Sequence, residues 1–350
     1  MSARDGYRVA VVGATGQVGG VMLRLLRERA FPVREVVPFA SERSAGRELD
    51  GGLVVQPLTD ETIRGFDLAI FSAGGSTSGE WAPRFVEAGA VVVDNSSKWR
   101  MADDVPLVVS EVNPDALDGH RGIIANPNCS TMQMVVALKP IYDAAGIERL
   151  VISTYQAVSG TGKKAVDELA AQVPVLSEDM DALRTDGASA MRRVEHSVHA
   201  DTLAFNVVPM LGAIGEEGYT DEELKLRNES RKILDIPDLA VSPTCVRVPV
   251  MVGHAVAIRA TFERTVDLDE ANAALAAFPN LVVQDVPTPL EWAGRDETAV
   301  GRVRRDLADP EHSLNLFVVG DNLLKGAALN TVQLAELLHE RGLVRATARA

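Results

Sequence analysis

Short runs of β-branched and aliphatic residues alternate with amphipathic stretches through the first third of the chain. Residues 8–12, 35–39, 68–71, 90–93 and 122–125 read as strands, and 17–29 and 78–88 as helices. Strand, helix and strand at this spacing predict a doubly wound parallel sheet, an α/β domain with helices on both faces. From about residue 149 the pattern changes. Longer strand-like runs at 149–155, 204–208, 241–248 and 255–263 lie between fewer helices, and 301–307 with 313–319 read as a hairpin joined by 308–312. These predict a mostly antiparallel or mixed sheet, hence a second domain of α+β type. Thr220, Asp221, Glu222 and Glu223 form a capping-box signature opening a helix that ends before Pro237. The expected division is a first domain over 1–130 and a second over 131–325, with a closing helix over 326–345 that packs back on the first.

Composition narrows the function classes. The 350 residues suffice for two cores, and 46% hydrophobic with 24% charged residues exclude a disordered, collagen-like or membrane chain. The formal charge is −14, from 35 Lys plus Arg against 49 Asp plus Glu, with no clustered basic run. Such a chain repels a polyphosphate backbone, so no nucleic-acid partner is expected. Two cysteines, Cys129 and Cys245, make no disulfide framework and point to a reducing cytoplasm. The apolar run at 7–13 is too short for a signal peptide or membrane span, so no membrane partner is expected either. No metal site is expected.

The first strand runs into Gly13-Ala-Thr-Gly16-Gln-Val-Gly19 and then a helix. Glycine lets the backbone turn tightly against a pyrophosphate, and the helix N-terminus supplies free N–H groups and positive potential. The spacing is G-x-x-G-x-x-G rather than G-x-G-x-x-G, which also suits a merely structural turn. After the second strand comes Ala40-Ser-Glu-Arg43-Ser44. Arg43 and Ser44 suit the 2′-phosphate of NADP, whereas Glu42 is the type that binds the free ribose of NAD or simply faces solvent.

Asn126-Pro-Asn-Cys129-Ser-Thr131 follows a strand and precedes an apolar helical run at 132–142. A helix N-terminus stabilises a thiolate, and the thiolate is the nucleophile. Cys245, inside an apolar strand, reads instead as core. Of six histidines, His254 stands out as a proton-transfer partner because it follows Gly253 after a loop. Arg247 lies in the apolar run Cys245-Val-Arg-Val-Pro249. A buried guanidinium needs a partner, either a protein carboxylate or that of a substrate. Seven positions separate Arg247 from His254, so one unbroken strand would put them on opposite faces; Pro249 and Gly253 predict an interruption.

These motifs, with Val11-Val-Gly-Ala-Thr-Gly16, Arg43-Ser-Ala-Gly46, Tyr155-Gln-Ala-Val-Ser-Gly160 and Val319-Gly-Asp-Asn-Leu323, resemble in order and over nearly the whole chain the aspartate-β-semialdehyde dehydrogenases. The resemblance implies a Rossmann domain and a catalytic and dimerisation domain like that of glyceraldehyde-3-phosphate dehydrogenases, assembled as a homodimer or homotetramer. It implies Cys129 as the nucleophile that forms an acyl-thioester, His254 as acid/base, and Gln156 as the group orienting substrate and cysteine. It implies Arg247 for the substrate α-carboxylate, Glu222 for its ammonium, and Arg100 with Lys225 for phosphate. It implies Gly13, Thr15, Gly16, Gln17, Val18, Arg43, Ser44, Ser159, Gly160 and Asn322 for NADP. Glu222 and Lys225 also read as an exposed intrahelical ion pair, and Arg100 as a solvated loop residue.

The activity so implied is NADPH-dependent reductive dephosphorylation of L-aspartyl-4-phosphate to L-aspartate-4-semialdehyde and phosphate. It feeds lysine, diaminopimelate, threonine, methionine and isoleucine synthesis. Two alternatives stay open. An N-acetyl-glutamyl-phosphate reductase runs the same chemistry, but that family carries Gly in place of Asn128 and needs no ammonium-binding Glu222. A catalytically silent dinucleotide-binding paralogue would ordinarily have lost the nucleophile.

Overall fold

A computed structural model describes residues 6–215 and 217–344. The chain divides into two compact units. One comprises the residues up to Asn128, Lys232–Asp235 and the chain from Leu323; the other comprises Cys129–Arg231 and Ile236–Asn322.

In the first unit, β1 (Tyr7–Val12), β2 (Val33–Ala40), β3 (Gln56–Pro57), β4 (Leu68–Phe71), β5 (Val91–Asp94) and β6 (Ile123–Ala125) form one parallel sheet in the order β3-β2-β1-β4-β5-β6. Its strands are apolar on both faces because both are covered. Val9, Val11, Leu68 and Ile70 pack with α1 (Gln17–Glu28) and the closing helix Leu329–Glu340. Their neighbours Ala10, Val12, Ala69 and Phe71 pack with Phe39, Phe66 and Phe85, the last on α2 (Gly75–Glu87). This strand order turns around between β1 and β4, and ligands bind beyond the carboxyl ends of strands at such a switch.

The second unit holds the predicted mixed sheet. Its strands are β7 (Arg149–Gln156), β8 (Ala240–Arg247), β9 (His254–Thr261), β10 (Leu281–Val283), β11 (Thr298–Arg305) and β12 (Ser313–Gly320), in the order β8-β7-β9-β12-β11-β10. Leu150, Ile152, Ile258 and Leu316 are buried on one face, where α3 (Cys129–Ala145) packs. The opposite face leaves Val151 and Tyr155 exposed beside Phe317 and Arg259. Between the sheet strands run α4 (Lys163–Ser177), α5 (Asp221–Leu234) and α6 (Leu268–Ala277).

One expected strand is absent. Residues 204–208 form a turn, with Phe205 at φ +59° and only Val208 bridging Arg247. The segment is apolar because Ala204 and Val208 pack into the α4 cluster. Asn206 closes the turn, donating from Nδ2 to the Thr202 carbonyl and accepting the Val207 N–H.

The first unit also buries a cation. Lys325, on the single π-helical turn Leu324–Ala328, is 1% exposed. Its ammonium pairs with Glu111 and donates to Ser110 Oγ (3.0 Å), Asn330 Oδ1 (3.1 Å) and Gln333 Oε1 (2.7 Å). Removing one member of a buried pair leaves an uncompensated charge. Glu111→Leu is expected to lower unfolding free energy by about 3–5 kcal/mol in urea titrations, and adding Lys325→Met to recover most of the loss.

Candidate active site

Sheet register gathers the predicted residues of the second unit. β7 and β8 are parallel, with Gln156 opposite Arg247, so both end at one edge. β9 is antiparallel to β7, with Ala255 opposite Tyr155, which places His254 at that same edge. β12 arrives there too, Gly320 opposite His254, with Asn322 two residues beyond. Arg247 and His254 thus belong to separate strands, and Gly253 at φ +96° turns the chain between them. Both strands pair with β7, so the odd separation puts no constraint on their faces.

The segment after β7 holds the two basic groups. Ala157 donates its N–H to His254 Nδ1 (2.9 Å) and accepts from Arg247 Nη1 at its carbonyl (2.6 Å). Arg247 Nη2 donates to Thr161 Oγ1 (2.8 Å). A Cβ on Gly160 would sit 3.1 Å from His254 Nε2 and 3.4 Å from Arg247 Nη1, so glycine lets this backbone lie against both. Asn322 Oδ1 accepts the Gly253 N–H (2.8 Å), and Asn322 Nδ2 donates to Ser159 Oγ (2.9 Å). The turn carrying Ser159 is thereby joined to the one that precedes His254.

Opposite lies the start of α5. Gln156 Nε2 donates to Glu222 Oε1 (3.3 Å), while Glu222 Oε2 takes Lys225 Nζ (3.0 Å). The intrahelical ion pair read from spacing therefore exists, with Glu222 reaching the sheet end as well. Cys129 is half-buried at the first position of α3, where free N–H groups and the helix dipole favour an anion. The sulfur lies near enough to Arg247 and Cys245 for a charge on it to act on both.

Protonation follows from the surroundings. A backbone N–H can only donate, so His254 Nδ1 is an acceptor and the neutral ring carries its proton on Nε2, which has no partner among the described residues. Burial pulls the His254 pKa down to about 3, helped by Arg247 and opposed by Glu222. Arg247 is also held below its ordinary range by burial, against the raising effect of Glu222 and Cys129. It has no carboxylate at ion-pair distance among the described residues; its partners are a carbonyl and a hydroxyl. Burial pushes the Cys245 thiol up to about 12, in keeping with its core reading.

The first unit carries the other predicted residues. Gly13, at φ +88°, lies so close to the chain after β4 that a Cβ would meet the Ser72 carbonyl oxygen at 2.3 Å. A Cβ on Gly19 would meet the Gly13 oxygen at 2.2 Å, which is the helix–strand approach of a dinucleotide turn. Gly16 caps α1 without a side-chain bond, and Gln17 Oε1 has no partner there among the described residues. Gly13, Thr15 and Gly16 line a cavity of about 570 Å³ with Ser41, Glu42, Ser72 and Thr77; Val18 lies one residue into the helix from Gln17. These groups fit a dinucleotide pyrophosphate. Arg43 and Ser44 form a 3₁₀ turn with Glu42 just after β2. Arg100 is buried and donates from Nη2 to the Asn95 carbonyl (2.9 Å), so it is no solvated loop residue.

Two family models match this chain. One, described as the semialdehyde dehydrogenase NAD binding domain, covers residues 8–120, and the other, its dimerisation domain, covers 138–325. The aspartate-semialdehyde dehydrogenase of Streptomyces akiyoshiensis is 53% identical, covering 95% of this chain and 98% of that protein. That of Aquifex aeolicus is 49% identical over 97% of this chain and 100% of its own. The chain belongs to the aspartate-semialdehyde dehydrogenase family. Among solved structures, aspartate semialdehyde dehydrogenase II of Vibrio cholerae, complexed with ASA, superposes with a TM-score of 0.89 at 44% identity, covering 96% of this chain and 99% of that one. The Candida albicans aspartate semialdehyde dehydrogenase with NADP gives 0.73 at 26% identity, covering 97% and 100%.

In this aspartate-semialdehyde dehydrogenase family member, sequence reading missed Ala157 and Thr161. Ala157 acts only through its peptide groups and carries no side-chain signal. Thr161 follows Gly160 directly, and a hydroxyl beside a close-approach glycine was the available sign. The buried imidazole also has a consequence for stability. In the unfolded chain it binds its proton near pH 6.5, in the folded one near 3, so stability falls as pH drops through that window. His254→Asn is expected to flatten the decline in urea-unfolding free energy between pH 6.5 and 4; an unchanged slope would refute the buried neutral ring.

Proposed function

We propose that this chain reduces L-aspartyl-4-phosphate with NADPH to L-aspartate-4-semialdehyde and phosphate, in the aspartate route to lysine, diaminopimelate, threonine, methionine and isoleucine. One observation carries the reading most: a buried guanidinium without a carboxylate partner, Arg247, beside a neutral imidazole with an open Nε2–H, His254, at the sheet end that also holds Glu222. Such a site accepts an amino acid by its carboxylate and ammonium and offers one proton donor.

In this mechanism the Cys129 sulfur attacks the acyl carbon, forming the C–S bond. The C–O bond to phosphate then breaks, and phosphate leaves with the electron pair, giving a thioester. Gln156 and Arg247 orient the substrate, and Arg100 with Lys225 offset the negative charge of its phosphate. Bound NADPH supplies the hydride that reduces the acyl group. His254 donates its Nε2 proton to the oxygen as charge builds there. When the C–S bond breaks, the electron pair returns to sulfur and His254 takes the proton back from the hydroxyl.

The glycine turn, Thr15, Gln17 and Val18 would hold the pyrophosphate, Arg43 and Ser44 the 2′-phosphate, and Ser159, Gly160 and Asn322 the nicotinamide end. Relatives named for the aspartate substrate support that substrate over N-acetyl-glutamyl phosphate. Assembly as a homodimer or homotetramer is supported by the dimerisation-domain match and by the open sheet face around Val151, Tyr155 and Phe317, since a sheet face of that kind is ordinarily covered. Two cysteines that form no disulfide among the described residues suit a cytoplasmic setting.

Phosphate-dependent oxidation of aspartate semialdehyde, followed at the nicotinamide absorbance, tests the reading. Cys129→Ala is expected to lose about 10⁴-fold or more of kcat; near-normal turnover would overturn it. Arg43→Ala is expected to raise KM for NADP about 10- to 100-fold with little change for NAD. An equal effect on both dinucleotides would remove Arg43 from the 2′-phosphate.

A further inference from the structure

β8 is the edge of the mixed sheet and pairs with β7 alone, so its outer N–H groups need partners from elsewhere. Arg247 exchanges both backbone bonds with Val208. Two residues earlier, the Cys245 N–H donates to Glu223 Oε1 (3.0 Å). The other oxygen of that carboxylate, Oε2, accepts the Thr220 N–H (2.7 Å), and Thr220 Oγ1 faces the Glu223 N–H (3.4 Å). Glu223 is 8% exposed. One buried carboxylate thus closes the capping box of α5 and ties that helix end to the strand bearing Arg247.

A capping box ordinarily satisfies only its own helix. Here its second oxygen spans to the sheet, and the neighbouring residue is Glu222, whose carboxylate reaches Gln156 across from Arg247. We infer that Glu223 is a positioning residue: by anchoring α5 to β8 it sets the separation between Glu222 and Arg247, and so the preference for substrates that carry an ammonium beside their carboxylate. It touches neither substrate nor reacting atoms. The inference rests on the proposed roles of Glu222 and Arg247.

The test compares kcat/KM for aspartate semialdehyde and for succinate semialdehyde, which lacks the amino group, in the wild type and in Glu223→Ala, Glu223→Gln and Glu222→Gln. Glu223→Ala is expected to lower the aspartate semialdehyde value about tenfold, chiefly through KM, and to leave the succinate semialdehyde value and the rate of Cys129 alkylation by iodoacetamide within about twofold. Glu223→Gln keeps the shape and one acceptor oxygen, so its loss should be intermediate; it carries the test if the alanine variant does not fold. Equal losses on both substrates, with Glu222→Gln still narrowing the preference, would overturn the inference. A Glu222→Gln enzyme with the wild-type preference would instead remove the ammonium role of Glu222 on which the inference stands.

Discussion

The backbone of a single residue, through the two peptide groups that flank it, meets two opposed demands on this site. Ala157 offers its N–H to the His254 ring and its carbonyl to the Arg247 guanidinium. The first bond fixes the tautomer of a neutral imidazole; the second holds a cation close to it. Each reinforces the other, because the guanidinium further disfavours protonation of a ring already buried. A backbone group can do this more reliably than a side chain, since its position is set by the strand it ends. The consequence is that His254 has a proton to give at Nε2 and starts the proposed cycle as a donor.

The strand pairing fixes that arrangement. Parallel β7 and β8 end together, and antiparallel β9 begins where they end, so Gln156, Arg247 and His254 meet at one end of the sheet. The edge strand acquires partners from outside the sheet: Val208 closes it at Arg247, and Glu223 closes it at Cys245. A sheet end therefore serves as the frame, and in the proposed mechanism the helix start at Cys129 supplies the reactive group.

Much of this was legible because residue type and spacing carry direct physical meaning. Alternating short strands and amphipathic helices predicted the parallel sheet, and the arginine buried in an apolar strand announced itself by its cost. The misreadings share a cause. Residues 204–208 look like a strand because apolar side chains fill a helix cluster, and burial alone does not distinguish a turn that Asn206 closes locally. The parity concern over Arg247 and His254 assumed one strand where Gly253 makes two. Ala157 could not be found from a methyl group, and Glu223 read as a helix cap because its second partner, the Cys245 N–H, lies twenty-two residues away.

Two buried cations in this chain solve one electrostatic problem in opposite ways. Lys325 is surrounded by Glu111, Ser110, Asn330 and Gln333, so its charge is compensated inside the first unit. Arg247 is also buried, yet among the described residues its hydrogen bonds go to a carbonyl and a hydroxyl. Holding a desolvated guanidinium without a carboxylate at ion-pair distance is unfavourable in the resting protein, and the nearby Glu222 offsets this only in part. The same desolvation strengthens its attraction for an arriving carboxylate, because little water has to be displaced and the field is weakly screened. In the proposed complex the substrate carboxylate would take up that unmet interaction, with Thr161 and the Ala157 carbonyl holding the guanidinium in place.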